Sequence, residues 1–500
     1  MIDTVALREK VLDLAIRGKL VPQDPNDEPA SVLLERIRAQ KQQMVKDGKL
    51  KAKDIKDDSI IFVGEDNLHY EKFADGTVKC IEDEIPFEIP EGWMWCRLKD
   101  LFNVCSAKRV LQSEWKKEGI PFYRAREIVK LSNYGYVDND LFISLEHYEA
   151  LKKTYGVPQA GDLMITGVGT IGKVYIVQEN DTFYYKDASV LCFENLYGAI
   201  IPEYARIMID SPLLQEQIHS KTYGNTVDTI TISTANEYLC VLPPINEQQK
   251  VVDVVKSVLE VTDVIEDGYN ELKTCIAQTK SKILDLAIRG KLVPQNPDDE
   301  PASVLLERVR TEKEELIKQG KIKRDKKESV IFKGEDNSYY EKYGEELPKG
   351  WVVTNLESLL SYEQPTDYIV VSTDYNKSYS TPVLTAGKSF ILGYTNETTG
   401  IYKRLPTIIF DDFTTESKYV DFEFKVKSSA MKILTANTDL VLIRFAYYLM
   451  QSIEIDHDNH QRYWISVFSK QEVALPPLAE QKRIVEMIDY LYSLLDNMII

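Results

Sequence analysis

Several stretches of this chain carry residue types that could do chemistry. Residues 167–173, GVGTIGK, satisfy G-x-G-x-x-G and most of a phosphate-binding loop. Cradling a phosphate needs a strand, a glycine-rich turn and then a helix whose first amides face the anion. The run from Asp162 to Thr166 reads as a strand, but so does VYIV at 174–177, and Val174 stands where a magnesium-binding Ser or Thr belongs. The spacing therefore predicts a hairpin turn that presents Thr170 and Lys173. Asp411 or Asp412, followed by Glu423 and Lys425, imitates the acids and lysine of a metal-dependent nuclease. Two acids can hold a hard cation while a lysine meets the phosphate. The alternation in YVDFEFKV (419–426) suits an ordinary half-exposed strand equally well. His457 and His460 form the one close histidine pair, without a further acid or cysteine at zinc spacing, and read as a polar loop or helix face. No Asn-Pro-Pro-aromatic methyltransferase signature occurs. No catalytic residue and no metal ligand is assigned.

Basic residues interleaved with aromatics are the better candidates for contact. In the first half these are Lys108, Arg109, Tyr123, Arg124, Arg126 and, after Tyr184 and Tyr185, Lys186. In the second they are Lys388, Tyr394, Asn396, Lys403, Arg404 and Lys418. Arg and Lys hold phosphates or the guanine edge, and Asn reads adenine. Composition does not advertise such a role. Net charge is −18, with 15 basic against 18 acidic residues in 93–241 and 11 against 15 in 351–474. Positive charge must be local or come from a partner.

The elements that position these residues are repeated. Residues 12–38 return at 284–310 with 24 of 27 positions identical, an offset of 272 that is far too long for a solenoid. SIIFVGEDN (59–67) returns as SVIFKGEDN (329–337), IPEGW (89–93) as LPKGW (347–351), and LPPINEQQKVVDVV (242–255) as LPPLAEQKRIVEMI (475–488). Between them lie unmatched blocks, 93–241 and 351–474, rich in strand and turn formers. Apolar residues from Val251 to Leu286 follow a 4-3 seam, interrupted at Thr262 and Thr279, and Ile484, Ile488, Leu491, Leu495 and Met498 follow another. The C-terminal segment stops at the equivalent of Asp267 and the N-terminal one resumes at that of Lys273, so the two together rebuild a second copy of the central helix. Ser31 and Ser303 are expected to cap the helices after the LVPQ-x-P-x-DEPAS turns.

This layout resembles the specificity subunits of type I restriction-modification systems. The resemblance rests on both copies of LAIRGKLVPQ…DEPASVLLER, the LPP-x-x-EQ elements, the starts IPEGWMWCRLKDL and LPKGWVVTNLESL, and GDLMITGVGTIGK at 161–173. YEQPTDYIV (362–370), TPVLTAG (381–387) and IIFDDFTT (408–415) in the second block add to it. It covers essentially the whole chain. The repeats and seams predict an α+β protein in a circular, pseudo-twofold layout, two mixed α/β globular domains separated by two long antiparallel coiled-coil helices, with a tandem duplication whose copies pack independently as the alternative. The resemblance makes each globular block a target-recognition domain. The expected divisions are 1–92, 93–241, 242–350, 351–474 and 475–500. Each domain would read half of a split, asymmetric site in double-stranded DNA. Two modification subunits would bring S-adenosylmethionine, and translocation and cleavage subunits would bring ATP and magnesium. This chain would itself hold no cofactor. A self-sufficient nuclease or methyltransferase and a coiled-coil protein adaptor are the competing readings. Scattered cysteines without C-x-x-C pairs, no signal-peptide pattern and no apolar run near ~18 residues predict a cytoplasmic protein without a membrane span.

Overall fold

The repeated sequence folds the same way twice. The first copy contributes helix Thr4–Ile16, a turn at Gly18 and helix Ala30–Lys46; the second contributes the end of helix Ile245–Ile288, a turn at Gly290 and helix Ala302–Lys318. Gly18 and Gly290 take left-handed φ values of +63° and +66°. A Cβ on them would lie 2.3 and 2.4 Å from the rings of Pro90 and Pro348, so only glycine fits. Gln23 and Gln295 lock the turns, each donating to the glycine carbonyl at 2.7 Å. Ser31 and Ser303 do not cap the following helices. The N-caps are Pro29 and Pro301, and the first amides, of Ala30 and Ala302, donate to the carbonyls of Gly92 and Gly350 at 2.8 and 2.9 Å. A distant carbonyl thus replaces the local hydroxyl.

The computed structural model describes residues 3–48, 50–51, 55–56, 58–220, 229–319, 347–387, 389–455 and 462–499. It divides into two units of mixed helix and sheet, Ile2–Gly268 and Tyr269–Ile500. In each unit the LPP-x-x-EQ element ties the frame together. Glu247 accepts from the Trp93 indole at 2.6 Å, and Glu480 from that of Trp351 at 3.0 Å. Gln248 accepts from the Ile201 amide and donates to the carbonyls of Ala199 and Pro243. Gln481 does the same with Leu442, Leu440 and Pro476. These amides are buried, so each lost bond would strand a polar group. The two ends of each unmatched block then pair as antiparallel strands: Met94–Arg97 with Leu239–Leu242, and Val352–Asn355 with Glu472–Leu475.

Inside those closures the blocks share one topology despite their unrelated sequences. Each has seven described strands. The first, seventh, fourth and fifth form an antiparallel sheet, and the second lies between an antiparallel third and a parallel sixth. The four-stranded sheet runs Asn103–Cys105, Val190–Glu194, Leu163–Thr166, Val174–Ile176 in the first block. Its counterpart is Leu360–Glu363, Met431–Ala436, Thr407–Asp411, Ser417–Val420. The three-stranded sheets are Tyr184–Tyr185, Ile120–Tyr123, Phe142–Ile143 and Lys425–Val426, Thr381–Leu384, Ile391–Thr395. The first block inserts helices Ala125–Tyr134 and Leu145–Tyr155 on either side of its third strand.

The long helix Ile245–Ile288 buries Val251, Val255, Ile276 and Ile283, whereas Ile265 is 36% exposed. Thr262 stands as a polar residue within this run. It is buried, and its hydroxyl is satisfied by the Val258 carbonyl at 2.7 Å.

Candidate nucleic-acid interface

In the first block, 167–173 is a hairpin turn. The flanking strands pair from Leu163↔Ile176 to Ile165↔Val174, and the Thr166 hydroxyl accepts from the Lys173 amide and donates to the Thr170 carbonyl. A strand follows where a phosphate cradle needs a helix. Four loops meet at this end of the sheets. The Lys186 amide donates to Tyr123 O at 2.8 Å, Gly167 to Ser189 O at 2.9 Å, Ala188 to Ser106 Oγ at 3.3 Å, and Ile230 to Gly167 O at 2.8 Å.

The predicted contact residues of this block gather there. Arg109 pairs with Asp187 at 2.8 Å. Arg124 and Arg126 share Glu127 and Asp140, whose hydrogen bonds hold the Arg126 guanidinium above its ordinary range. The Tyr123 ring stacks on Phe183, and burial pushes its hydroxyl pKa up. The Lys108 amide bonds Tyr184 Oη, with its ammonium over the Tyr155 ring. Thr170 and Lys173 are exposed on the hairpin, and Lys186 follows the short Tyr184–Tyr185 strand. The carboxylates keep the arginines charged and oriented, and they also compete with any incoming phosphate.

The second block repeats the arrangement on different residues. Lys427 donates its amide to Leu384 O at 3.1 Å, Asp412 to Ala430 O at 3.1 Å, and Tyr463 to Asp412 O at 2.9 Å. These bonds match those of Lys186, Gly167 and Ile230 in turn. They bring Lys427, the turn after Asp411 and Arg462 to one loop end. Lys427 and Arg462 are exposed and make no ion pair with a described residue. Neither was singled out from the sequence. The Lys186/Lys427 equivalence follows from strand order, and only the VK-S-S spacing just after a short strand hints at it.

The sequence-predicted residues of this block are dispersed. Asn396 follows the end of Ile391–Thr395 that pairs with the start of Thr381–Leu384, opposite the loop end, and Tyr394 lies beside it. Lys403 pairs with Glu423 at 3.0 Å, while Arg404 bonds Glu363 and lies over the Tyr402 ring. Lys418 sits on the sheet's outer strand, opposite Ile409 and just below the turn. Lys388 lies outside the described residues, as do His457 and His460.

The nuclease-like acids serve structure. Asp411 accepts from the amides of Phe413 and Thr414, shaping the turn. Asp412 is buried against Lys432 at 3.2 Å and accepts from the Trp464 amide. Lys425 is buried on Glu397 and the Thr399 carbonyl. Among the described residues no cluster of three or more His, Cys, Asp or Glu could hold a metal, and no helix is long and apolar enough to cross a membrane.

Two blocks of one topology, each closed by the same tie and differing at the loop end, define a duplicated two-domain scaffold. The family model for the type I restriction modification DNA specificity domain matches residues 90–274 and 348–499, and the chain belongs to that family. It is 46% identical over 164 residues to the EcoR124I/EcoR124II type I restriction enzyme specificity subunit of Escherichia coli, a match covering 30% of this chain and 40% of that one. It is 28% identical over 404 residues to the EcoEI specificity subunit of the same species, covering 69% and 60%. The matches thus span less than two thirds of either relative. A solved chain from work on complex assembly and conformational transition of the type I R-M system is 13% identical, with a TM-score of 0.50 over 83% of this chain and 93% of that one. At that identity the likeness concerns the fold.

Proposed function

We propose that this chain is the DNA sequence-specificity subunit of a type I restriction-modification complex. Blocks 93–241 and 351–474 are target-recognition domains, each reading one half of a bipartite, asymmetric site in double-stranded DNA. Segments 1–92, 242–350 and 475–500 carry the frame. Their helices form an antiparallel coiled coil in a circular, pseudo-twofold layout that holds the half-sites apart and docks two modification subunits. Those subunits supply S-adenosylmethionine and methylate adenine, which must be extruded from the duplex. Restriction subunits supply ATP- and magnesium-dependent translocation and cleavage. This chain contributes recognition and no catalytic group, and it acts in the cytoplasm.

The loop end carries the contacts. In the first domain Lys108, Arg109, Tyr123, Arg124, Arg126, Thr170, Lys173 and Lys186 face DNA, with lysines on phosphates and arginines reaching guanine. In the second, the loop end carries Lys427 and Arg462 with Lys418 just below it; Lys388, Tyr394, Asn396, Lys403 and Arg404 are the remaining candidate contacts, of which Tyr394 and Asn396 lie at the opposite end. The observation that supports this reading best is the trio of backbone bonds repeated at the two loop ends, which mounts different side chains on one scaffold. The test exchanges 351–474 for the same block of another family member and sequences the host methylome. One half of the methylated motif should change and the other stay. A change in both halves, or in neither, would overturn the reading.

A further inference from the structure

A meander of three antiparallel strands, Ser59–Val63, His69–Phe73 and Val78–Cys80, precedes the first domain. Its inner face meets the start of the first domain. Ile61 packs with Trp93, Trp95 and Val241, and buried Glu71 bonds the Ser59 hydroxyl and the Arg97 guanidinium. Lys41, itself buried, anchors the entry through Asp58 and the Lys99 carbonyl. The register puts Ile60, Phe62, Tyr70, Lys72, Val78 and Cys80 on the other face. That face has no partner among the described residues. Ile60 is 39% exposed, Phe62 37% and Val78 52%, with Phe62 stacked on Tyr70 at 5.9 Å. A sheet with one wet face ordinarily turns polar residues outward. A contiguous apolar face on a rigid sheet marks an interaction site.

We propose that this outer face docks a modification subunit, through an apolar segment of that subunit flanked by Lys or Arg. The proposal rests on the function inferred above, and two observations select the occupant. The first is duplication. The sequence 329–343 keeps Val330, Phe332, Tyr340 and Lys342 at the places of Ile60, Phe62, Tyr70 and Lys72. That stretch lies outside the described residues; what repeats is the sequence, and a repeated sequence fits an occupant that comes twice in the same form. Half-sites of an asymmetric DNA sequence do not; a partner bound in two copies does. The second is charge. Residues 59–92 carry nine Asp and Glu against two Lys, and all of these acids but the buried Glu71 reach solvent, on a surface that repels phosphate and attracts a basic protein segment. Asp66 stands at the edge of the patch, accepting from the Tyr70 hydroxyl at 2.7 Å.

The experiment titrates the full chain with the purified modification subunit of its own system and counts partners by native mass spectrometry. The double variant Phe62→Ser/Val78→Ser alters one copy of the surface only. It should lose one of two bound subunits at concentrations that saturate the wild type, a weakening of about tenfold or more. Wild-type protein supplies a second readout: alkylation of the exposed Cys80 thiol, read by peptide mass spectrometry, should slow at least about tenfold when the partner binds. Two partners retained at unchanged affinity by the folded variant, or Cys80 labelled at its free rate inside a formed complex, overturns this proposal and leaves the function standing. A wild-type chain that binds no modification subunit overturns both.

Discussion

The two unmatched blocks differ at nearly every interior position and agree in strand order, closure and loop-end hydrogen bonds. The first mounts its cations on carboxylates: Arg109 on Asp187, and Arg124 and Arg126 on Glu127 and Asp140. The second leaves Lys427 and Arg462 without such partners among the described residues and buries its acid, Asp412, on Lys432. The bases of the blocks differ as well. Arg97 ends the first closing strand within reach of Glu71 and Glu84, whereas Asn355 ends the second and caps the next helical turn. The topology therefore rests on backbone bonds and frame contacts, and the side chains at either end of it are free to diverge.

The largest expected break in this comparison is at the base. Arg97→Ala strands the buried Glu71 carboxylate and should cost about 3–5 kcal/mol in denaturant unfolding of the first block. Asn355→Ala removes only a cap and should cost about 1 kcal/mol from the second. Equal losses would show that the two bases are the same after all.

The turns should behave alike. Gly18→Ala and Gly290→Ala each force a left-handed alanine against a proline ring, and each should cost about 2–4 kcal/mol. A difference above about 1 kcal/mol between them would mean that the matched frames are not energetically equivalent.

A pH titration separates the blocks next. Burial pushes the Asp100 carboxyl up to about 6, against the opposing pull of Lys41 and the Arg97 amide. Its equivalent in the second block is Ser358, which does not titrate. A carboxyl that holds its proton more tightly when folded favours folding below its unfolded pKa, and that advantage is lost as pH rises through about 6. The first block should therefore weaken by about 2–3 kcal/mol between pH 4 and pH 7 at this residue. Asp100→Asn keeps an acceptor for the Arg97 amide and should flatten the dependence. A profile unchanged by the substitution would refute the assignment.

The smallest effect sharpens the match between loop ends. Lys186→Ala and Lys427→Ala should each weaken DNA binding by the complex several-fold, lower the salt slope by about one, and leave the methylated letters unchanged. Lys403→Ala, already tied to Glu423, should do less. A lysine whose removal changes the motif reads bases and does not simply hold the backbone.

Much of this was legible before any coordinates. The duplicated frame shows because its turns tolerate so little: Gly18 and Gly290 have no substitute, and Gln23 and Gln295 recur with them. The hairpin at 167–173 follows from strand formers on both sides. What stayed hidden is what depends on distant partners. Glu247 and Glu480 stand out as repeated letters, but the Trp93 and Trp351 indoles they hold lie 154 and 129 residues away. Ser31 and Ser303 look like caps because their competitors, the Gly92 and Gly350 carbonyls, are far along the chain. In the second block the Tyr-, Lys- and Asn-rich stretches all look alike as contact candidates. Only strand order distinguishes the near end of a strand, at Lys427, from the far end, at Asn396.

The strand pairs that close each block also set a timetable for synthesis. Met94–Arg97 has no partner strand until Leu239–Leu242 has left the ribosome, and Val352–Asn355 waits likewise for Glu472–Leu475. Closing loops of this length makes folding slow and leaves strand edges open in the interval. The Trp351 indole waits longer still, for Glu480. A nascent chain stalled near residue 300 would thus carry a closed first block, while one stalled near 470 would add a second block with its base unlatched. In each half the indole tie can form only after the closing strand has been made.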